Sequence, residues 1–171
     1  MNTFYLHHSC PVGELLVVSH DQAITAVHIT HGKYVPTVEL GWTATRNHPV
    51  LNQAQRELDD YFNGRLQSFG VAIDPVGTAF QKSAWAALTR IPFGETRTYA
   101  EQAAAIGRPS ATRAVGAANG KNPISIIVPC HRVIGRDGSM TGFAGGLDAK
   151  RTLLGLEARN RTASGPFSGL F

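Results

Sequence analysis

The run of residues 124–134, Ile-Ser-Ile-Ile-Val-Pro-Cys-His-Arg-Val-Ile, constrains the fold of this sequence more than any other segment. Its apolar residues predict a buried strand that leads directly into Pro129-Cys130-His131-Arg132. A thiol beside an imidazole at the end of such a run is typical of a nucleophile, because basic or cationic neighbours populate the thiolate. A structural cysteine is an open alternative, since free cysteines are often buried.

The cysteine content and the length indicate the kind of protein. A chain of 171 residues can form one ordinary domain or two small ones. Cys10 and Cys130 cannot form a disulfide framework, and the first ten residues lack the basic start and apolar stretch of a secretory signal. No apolar run approaches the roughly 20 residues of a membrane span. We therefore expect a cytoplasmic protein, where reducing conditions favour a catalytic cysteine over a cross-linked one.

Charge is distributed unevenly along the chain. Residues 1–77 carry four Lys or Arg against seven acidic residues, a net charge of −3. Residues 78–171 carry twelve Lys or Arg against five acidic residues, a net charge of +7. A basic half favours a polyanion as partner, although many basic domains bind none.

Residues 1–77 have the pattern of a small sheet covered by one helix. Three runs of alternating residues predict strands, at residues 3–8, 14–19 and 24–30. Apolar residues at helical spacing predict a helix over Pro49–Phe62, ending at Asn63-Gly64. This half contains no cluster of catalytic residue types.

A domain boundary is expected at residues 74–78, where Pro75 and Gly77 precede a residue that can cap a helix, Thr78. The second domain, residues 78–158, would begin with a helix that ends before Pro92 and Gly94. Its predicted core face consists of Phe80, Ala84, Trp85, Leu88 and Ile91. A last helix is expected at residues 149–158, followed by a loose C-terminal tail at residues 159–171.

Two short alanine-rich helices, at residues 98–106 and 110–119, are joined by Gly107-Arg108-Pro109. This spacing is typical of a helix-turn-helix, and small side chains on the second helix would let it approach DNA closely while Arg113 projects from it. An ordinary helical hairpin fits the same pattern. The glycine-rich loop after Cys130 can form either a plain turn or a tight pocket for a flat ligand.

The stretch from about Thr78 to Glu157 resembles the O6-alkylguanine-DNA alkyltransferases, which are single-turnover DNA repair proteins. The resemblance rests on four motifs: residues 94–99 (Gly-Glu-Thr-Arg-Thr-Tyr), 113–116 (Arg-Ala-Val-Gly), 122–123 (Asn-Pro) and above all 129–134 (Pro-Cys-His-Arg-Val-Ile). It implies an α/β fold with a small N-terminal sheet-plus-helix, RNase H-like domain. A mostly helical C-terminal domain with a winged helix-turn-helix would follow.

The resemblance implies a catalytic set in which Cys130 attacks the alkyl group on guanine O6 and keeps it. This is a suicide reaction, because nothing removes the alkyl group afterwards. His131 would act on the thiol through a water, and Glu157 would polarise the histidine, as a third group orients the base in other relays. Tyr99 would donate to the base, and Asn122 would brace the site beside the cysteine.

The resemblance also implies a base pocket and a DNA-binding surface. The pocket set is Val133, Met140, Phe143, Ala144 and Lys150, with the Cys130 and Val133 carbonyls accepting from the exocyclic amino group and the Ala144 N–H facing O6. The DNA-binding set is Ser110, Ala111, Thr112, Arg113, Ala114 and Tyr99. Because the reactive atom lies inside the duplex stack, the nucleotide must be flipped out, and Arg113 would fill the gap from the minor groove.

The sequence departs from the better-known family pattern at three positions. Phe143 stands where many relatives have tyrosine, Ser125 where some have proline, and Thr112 where some have alanine. These changes leave the reaction class unaltered, and a roomier pocket that accepts bulkier adducts or O4-alkylthymine is a hypothesis. Some relatives bind zinc in the first domain. The candidate ligands here are one cysteine and scattered histidines, which lack the spacing of a zinc site. They are Cys10, His7, His8, His28 and His48. We therefore expect no metal and no cofactor.

Three functions remain to be separated. The first is the suicide alkyltransferase acting on double-stranded DNA as a monomer, with cooperative binding on DNA left open. The second is a binding-only relative that senses alkylated DNA, although such proteins lack the cysteine found here at Cys130. The third is a cysteine hydrolase acting on a small substrate, which has no use for Arg113 on a helix-turn-helix.

Overall fold

The computed structural model describes the backbone of residues 1–168 and the side chains of residues 1–161. Its elements, in chain order, are β1 (Phe4–Cys10), β2 (Gly13–Ser19), β3 (Ile24–Ile29), β4 (Thr43–Ala44), α1 (Pro49–Phe62), α2 (Ala79–Leu88), β5 (Arg97–Thr98), α3 (Tyr99–Ala105), α4 (Thr112–Gly120), a 3₁₀ turn (Cys130–Arg132), β6 (Val133–Ile134) and α5 (Leu147–Ser168). Among these described residues, no helix is both long and apolar enough to cross a membrane.

The first half is the predicted sheet with one covering helix. The strand order is β3-β2-β1-β4, with antiparallel pairing except between β1 and β4. The tight turn between β1 and β2 places Gly13 at a φ of +117°, which favours glycine. Cys10 lies at this turn and donates through Sγ to the Gly13 carbonyl over 3.2 Å. Helix α1 begins with Pro49 in its first turn, as the sequence predicts, and buries its apolar face against the sheet.

The second half is helical and begins with two well-capped helices. Thr78 caps α2 through a capping box with Gln81, and Thr98 caps α3 in the same way with Glu101. The predicted helix-turn-helix consists of α3 and α4, which are tied together inside the protein by paired side-chain amides. Gln102 and Asn119 exchange hydrogen bonds of 2.9 and 2.7 Å, so the angle between α3 and α4 is fixed by buried polar contacts.

One hydrophobic core runs through both halves. Its fully buried members come from the sheet, from α1, from the segment after α4 and from α5, and include Leu15, Leu58, Ile124 and Leu153. The Val27 N–H donates to the Pro123 carbonyl over 2.9 Å and joins β3 directly to that segment. The α/β fold with a sheet-plus-helix first half and a mostly helical second half is confirmed, while the predicted wing stays a prediction.

The apolar run of residues 124–134 is not the continuous strand that its composition predicts. Ile124 pairs with β3 at an isolated bridge, Ile126 has a φ of +74°, and Cys130–Arg132 form a 3₁₀ turn before the two residues of β6. An apolar run shows that a segment is buried, but it does not show how the backbone turns inside the core.

Two helix limits also differ from the sequence predictions. Helix α4 begins at Thr112 and not at Ser110, because the Ala111 N–H bonds back to the Arg108 carbonyl in the preceding turn. Helix α5 continues past residue 158 to Ser168, so the predicted loose tail is wrong for residues 159–168. Residues 159–164 lack Gly and Pro, and Arg161 is held by the Gly94 carbonyl at 3.3 Å. Residues 169–171 of that predicted tail lie outside the described residues.

Candidate active site

Cys130 lies at the start of the 3₁₀ turn, just after the chain reverses at Ile126. A left-handed conformation is unfavourable for a β-branched residue, by about 1–2 kcal/mol, so the surrounding contacts must hold it. Asn122 supplies them. Its Oδ1 accepts from the Ile124 N–H over 3.0 Å, and its Nδ2 donates to the Val128 carbonyl over 2.8 Å. Asn122 therefore bridges the two sides of the turn that precedes Cys130, and its bracing role in the reaction stays a prediction.

The thiol of Cys130 is held mainly in its neutral form. The residue is 8% exposed, and burial raises its pKa. The Asn122 side chain and the ammonium group of Lys150 act in the opposite direction, because both stabilise a thiolate. The free protein therefore keeps a protonated thiol in surroundings that already contain groups able to stabilise the anion.

His131 and Glu157, which are 26 residues apart in the sequence, form a buried pair. His131 Nε2 lies 2.7 Å from Glu157 Oε1, and the two side chains are 0% and 1% exposed. Burial lowers the pKa of His131, while the glutamate opposes that shift. His131 Nδ1 is buried and has no hydrogen-bonding partner among the described residues. The pair thus has the predicted geometry of a base and its orienting carboxylate, with one ring nitrogen left to act on a further group.

Two residues that the sequence reasoning did not assign complete the surroundings of Glu157. Arg132 donates from Nε to Oε2 over 2.9 Å and from Nη2 to Oε1 over 3.0 Å. Tyr61 of α1 donates to Oε1 over 2.7 Å. Burial alone would raise the pKa of Glu157, but hydrogen bonds and charges from His131 and Arg132 lower it to about 2. Glu157 is therefore ionised, and it anchors three side chains, those of His131, Arg132 and Tyr61.

The sequence signals for these two residues differ. Arg132 lies inside the segment that drew attention to Cys130, and its Nη1 also donates to the Ile91 carbonyl over 2.7 Å. Tyr61 belongs to the apolar face of α1, and the helical pattern predicts only that its ring is buried in the core. The 96 positions that separate it from Glu157 leave no local pattern to find.

A cavity of about 260 Å³ lies between α4 and the glycine-rich loop. Three residues of the predicted sets line it: Tyr99, Phe143 and Ala144. The Tyr99 hydroxyl donates to the Thr141 carbonyl over 3.3 Å and accepts from Thr141 Oγ1 over 3.2 Å. Tyr99 therefore meets the loop in the free protein and would exchange that contact for one with a bound base.

Lys150, Val133 and Met140 lie beside this cavity and are not part of its lining. Lys150 is fully buried, and its Nζ donates to the Val133 carbonyl over 2.7 Å and to the Thr141 carbonyl over 2.9 Å. The lysine thereby fastens the pocket loop to the strand that follows Cys130. Met140 is half-buried on the same loop. The Val133 carbonyl, predicted to accept from guanine, accepts from this lysine in the free protein.

The loop between β3 and β4 also reaches the cavity, which the sequence did not predict. Lys33 and Tyr34 line it, and the Lys33 N–H donates to the Ala144 carbonyl over 2.7 Å. A Cβ at Gly32 would lie 2.5 Å from that same carbonyl, so glycine is required for the close approach. Tyr34 is 67% exposed. The first domain thus supplies part of the rim.

The predicted DNA-binding residues lie on one outer surface at the start of α4. Ser110, Arg113 and Ala114 are exposed, and Ala111 and Thr112 are half-buried. A Cβ at Gly116 would meet the Tyr99 ring at 3.7 Å, so α4 passes directly beside the cavity. Gly116 and Gly120 of α4 therefore line the cavity, and Arg113 is exposed one turn before Gly116 on the same helix. Among the described residues, no group of three or more His, Cys, Asp or Glu comes together as a metal site.

Comparison with known proteins agrees with this arrangement. The family model of the 6-O-methylguanine DNA methyltransferase DNA binding domain matches residues 79–159, and that of the ribonuclease-like domain of the same enzyme matches residues 3–75. The methylated-DNA–protein-cysteine methyltransferase of Methanosarcina acetivorans is 49% identical over 154 residues, 90% of this chain and 97% of the relative. The protein of that name from Haemophilus influenzae is 44% identical over 155 residues, 90% and 86% of the two chains.

Among solved structures, the crystal structure of Mycobacterium tuberculosis OGT in complex with DNA superposes with a TM-score of 0.87. That protein is 44% identical in sequence, and the match covers 92% of this chain and 94% of the other. The similarity therefore extends over both halves and over the loops that carry the candidate site.

Proposed function

The chain belongs to the 6-O-methylguanine DNA methyltransferase family, and we propose that it repairs alkylated DNA by moving the alkyl group onto its own Cys130. It is a methylated-DNA–protein-cysteine methyltransferase that acts by direct reversal on double-stranded DNA. The observation that carries this function is the arrangement around Cys130. Lys150 acts on its thiol and also donates to the carbonyl of Thr141, which lines the cavity, while the adjacent His131 pairs with Glu157. A hydrolase of small substrates would have no use for that placement.

Proton removal from Cys130 begins the reaction that we propose. His131 takes the thiol proton through a water at Nδ1, the nitrogen without a protein partner, while Glu157 stabilises the resulting imidazolium through Nε2. Lys150 and Asn122 stabilise the thiolate. The step needs no metal, because burial and these neighbours together control when the sulfur ionises.

The transfer itself forms one bond and breaks one. The thiolate sulfur attacks the alkyl carbon, the bond between that carbon and guanine O6 breaks, and its electron pair stays with the guanine. Tyr99 lies on the cavity lining, where its hydroxyl can donate to the departing base and reduce the cost of the anion. The product is a thioether at Cys130, which ends the activity of that molecule.

The target nucleotide must leave the duplex before it reaches the cavity. Arg113 is exposed on α4, one turn before Gly116 of the cavity lining, and the small side chains of this helix permit close approach from the minor groove. Basic residues of the second half would contact phosphates, which gives binding that weakens steeply with salt. We expect a monomer in solution, and we place the protein in the cytoplasm because both of its cysteines are free.

The test is stoichiometric transfer. The protein is incubated with duplex DNA that carries labelled O6-methylguanine, and the modified peptide is identified by mass spectrometry. One label per protein on Cys130 is the expected result. DNA binding without transfer would instead favour the binding-only relative, and repeated release of product would favour a hydrolase.

Pocket size is a separate part of the proposal. Phe143 lacks the hydroxyl that tyrosine would bring to the cavity, so the site loses one polar contact and gains space. Transfer rates from O6-methylguanine, a bulkier O6-alkylguanine and O4-methylthymine should be compared in the wild type and in Phe143→Tyr. A strong methyl preference in the wild type would contradict a roomier pocket.

A further inference from the structure

The first domain contributes a side chain to the catalytic network. Tyr61 lies near the end of α1, is fully buried, and donates from its hydroxyl to Glu157 Oε1 over 2.7 Å. The same carboxylate oxygen lies 2.7 Å from His131 Nε2. The phenol and the imidazole therefore compete for one oxygen, although they come from different halves of the chain.

We propose that Tyr61 is a positioning residue for alkyl transfer, which fixes the Glu157 carboxylate and limits how strongly it holds the proton of His131. The inference rests on the proposed function, because it assigns a role within the same relay. Its basis is the shared oxygen, since a donor that binds Oε1 necessarily changes what that oxygen offers to the imidazole.

The carboxylate of Glu157 accepts hydrogen bonds from four of the described residues. Oε1 accepts from His131, from Tyr61 and from Arg132 Nη2, while Oε2 accepts from Arg132 Nε and from the Gly94 N–H at 3.3 Å. The charged groups that act on His131 itself are Glu157, Arg132 and Lys150. Each donor spreads the negative charge of Glu157, so less of it remains to stabilise an imidazolium.

Tyr61 acts as a donor throughout the physiological range. Burial and the adjacent Glu157 charge both raise the pKa of its hydroxyl, so the phenol stays protonated. The charge of Arg132, which binds the same carboxylate, opposes this effect. A phenolate at this position would repel Glu157, and the network excludes it.

The ring of Tyr61 has a packing role that does not depend on the hydroxyl. It contacts Phe62, Phe69 and Phe93 with ring centroids 5.1, 5.4 and 6.0 Å apart. Tyr61→Phe keeps these contacts and deletes only the donor, so it separates the two roles. Leu58→Ala, one turn earlier on the same buried face of α1, is the matched control, because it weakens the packing without touching Glu157.

The experiment measures the single-turnover rate of transfer from O6-methylguanine duplex DNA against pH. The acid limb of this pH–rate profile, where the rate falls with decreasing pH, reports protonation of the Cys130–His131 pair. A protonated imidazole cannot accept the thiol proton. Deleting the hydroxyl leaves more negative charge facing His131, which stabilises the imidazolium. We expect Tyr61→Phe to move the acid limb upward by about half a pH unit, or about threefold in rate below the midpoint.

A second substitution at position 61 should shift the pH–rate profile in the opposite direction while preserving the fold. With 3-fluorotyrosine at position 61, the phenol is a stronger donor, so the acid limb should move downward. The imidazole of His131 is followed in parallel by NMR of protein labelled with ¹⁵N-histidine. That titration does not depend on transfer, so it decides the inference even if mass spectrometry finds no alkyl group on Cys130.

Opposite shifts of the pH–rate profile in Tyr61→Phe and in the 3-fluorotyrosine protein, with no shift in Leu58→Ala, would establish the positioning role. Unshifted profiles and an unshifted His131 titration in both would overturn it and leave Tyr61 as a packing residue. An equal shift in Leu58→Ala would also overturn it, because loss of packing would then account for the change. If Tyr61→Phe does not fold, the 3-fluorotyrosine protein decides alone.

Discussion

The proposed acceptor site and the proposed DNA-facing surface of α4 differ in almost every physical respect. Cys130, His131 and Glu157 are buried, and the polar side chains around them are bonded to one another at 2.7–3.0 Å. The start of α4 exposes Arg113 and has no side-chain cap, unlike α2 and α3. The chemistry thus depends on groups organised in advance, whereas recognition depends on groups left available for DNA.

This difference has a consequence for mutations. A change in the acceptor site should alter stability and transfer together, because the same contacts serve both. A change on the surface of α4 should alter DNA handling alone. The following predictions test that separation, beginning with the largest expected effect.

Cys130→Ser should abolish transfer and leave DNA affinity intact. A serine hydroxyl is far less nucleophilic than a thiolate, and the surface of α4 is unchanged. Mass spectrometry and a gel-shift assay on the same O6-methylguanine duplex measure the two properties. A parallel loss of DNA affinity would break the separation between the two regions.

Glu157→Gln should reduce stability by about 3 kcal/mol, because it leaves the buried Arg132 guanidinium without its counter-charge. Transfer should fall as well, since His131 loses its anionic partner. Urea unfolding followed by tryptophan fluorescence measures the stability. Single-turnover kinetics without urea at about pH 7.5 measure the transfer rate. Normal kinetics in a folded variant would contradict the assigned role of Glu157.

Acid should destabilise the wild type through the same group. The pKa of Glu157 is lowered from its ordinary 4.5 to about 2, so its contribution to folding is fully present above pH 4.5. The contribution is lost as the pH falls from about 4.5 towards 2. Unfolding free energies at pH 3 and pH 6 should therefore differ less in Glu157→Gln than in the wild type.

Arg113→Ala should slow transfer from duplex DNA by roughly tenfold, because holding a base outside the stack costs a few kcal/mol that the arginine offsets. Stability should change by less than about 0.5 kcal/mol, as is usual for exposed positions. Arg151→Ala removes one exposed positive charge from α5 and is the control for net charge. Equal slowing in both variants would argue against a specific role for Arg113.

Gly107→Ala should cost about 1 kcal/mol of stability, because Gly107 has a φ of +72° in the turn before α4. A Cβ there would meet nothing within 4 Å, so the cost is conformational and not steric. Gly120→Ala at the end of α4 also meets open space but has an ordinary φ, and it should be neutral or stabilising. Equal unfolding midpoints for the two variants would contradict this explanation.

Sequence alone predicted the elements whose signals are local. Helix α1 agrees with its predicted limits, and Thr78 caps a helix where expected, because capping and helical periodicity involve residues close in the chain. The backbone reversal at Ile126 was missed, since it is fixed by Asn122 and by packing against β3. Long-range contacts determine such a turn, and the composition of an apolar run does not predict those contacts.

The candidate site divides in the same way. The resemblance places Cys130, His131 and Glu157 together, and the structure pairs His131, the neighbour of Cys130 in the chain, with Glu157. No local pattern indicates Tyr61 or the Lys33-Tyr34 rim, because these residues occupy ordinary core or turn positions of their elements. Their roles arise from how the two halves pack, which single-residue signals do not encode.

The burial of Cys130 has a further meaning for a protein that reacts once. A catalyst that recovers can tolerate side reactions, but here each stray oxidation or alkylation removes one molecule from service. Because the thiol is 8% exposed and its pKa is raised, soluble electrophiles meet little thiolate while the protein waits for damage. Burial of Cys130 therefore determines how long an unreacted protein molecule remains able to repair DNA.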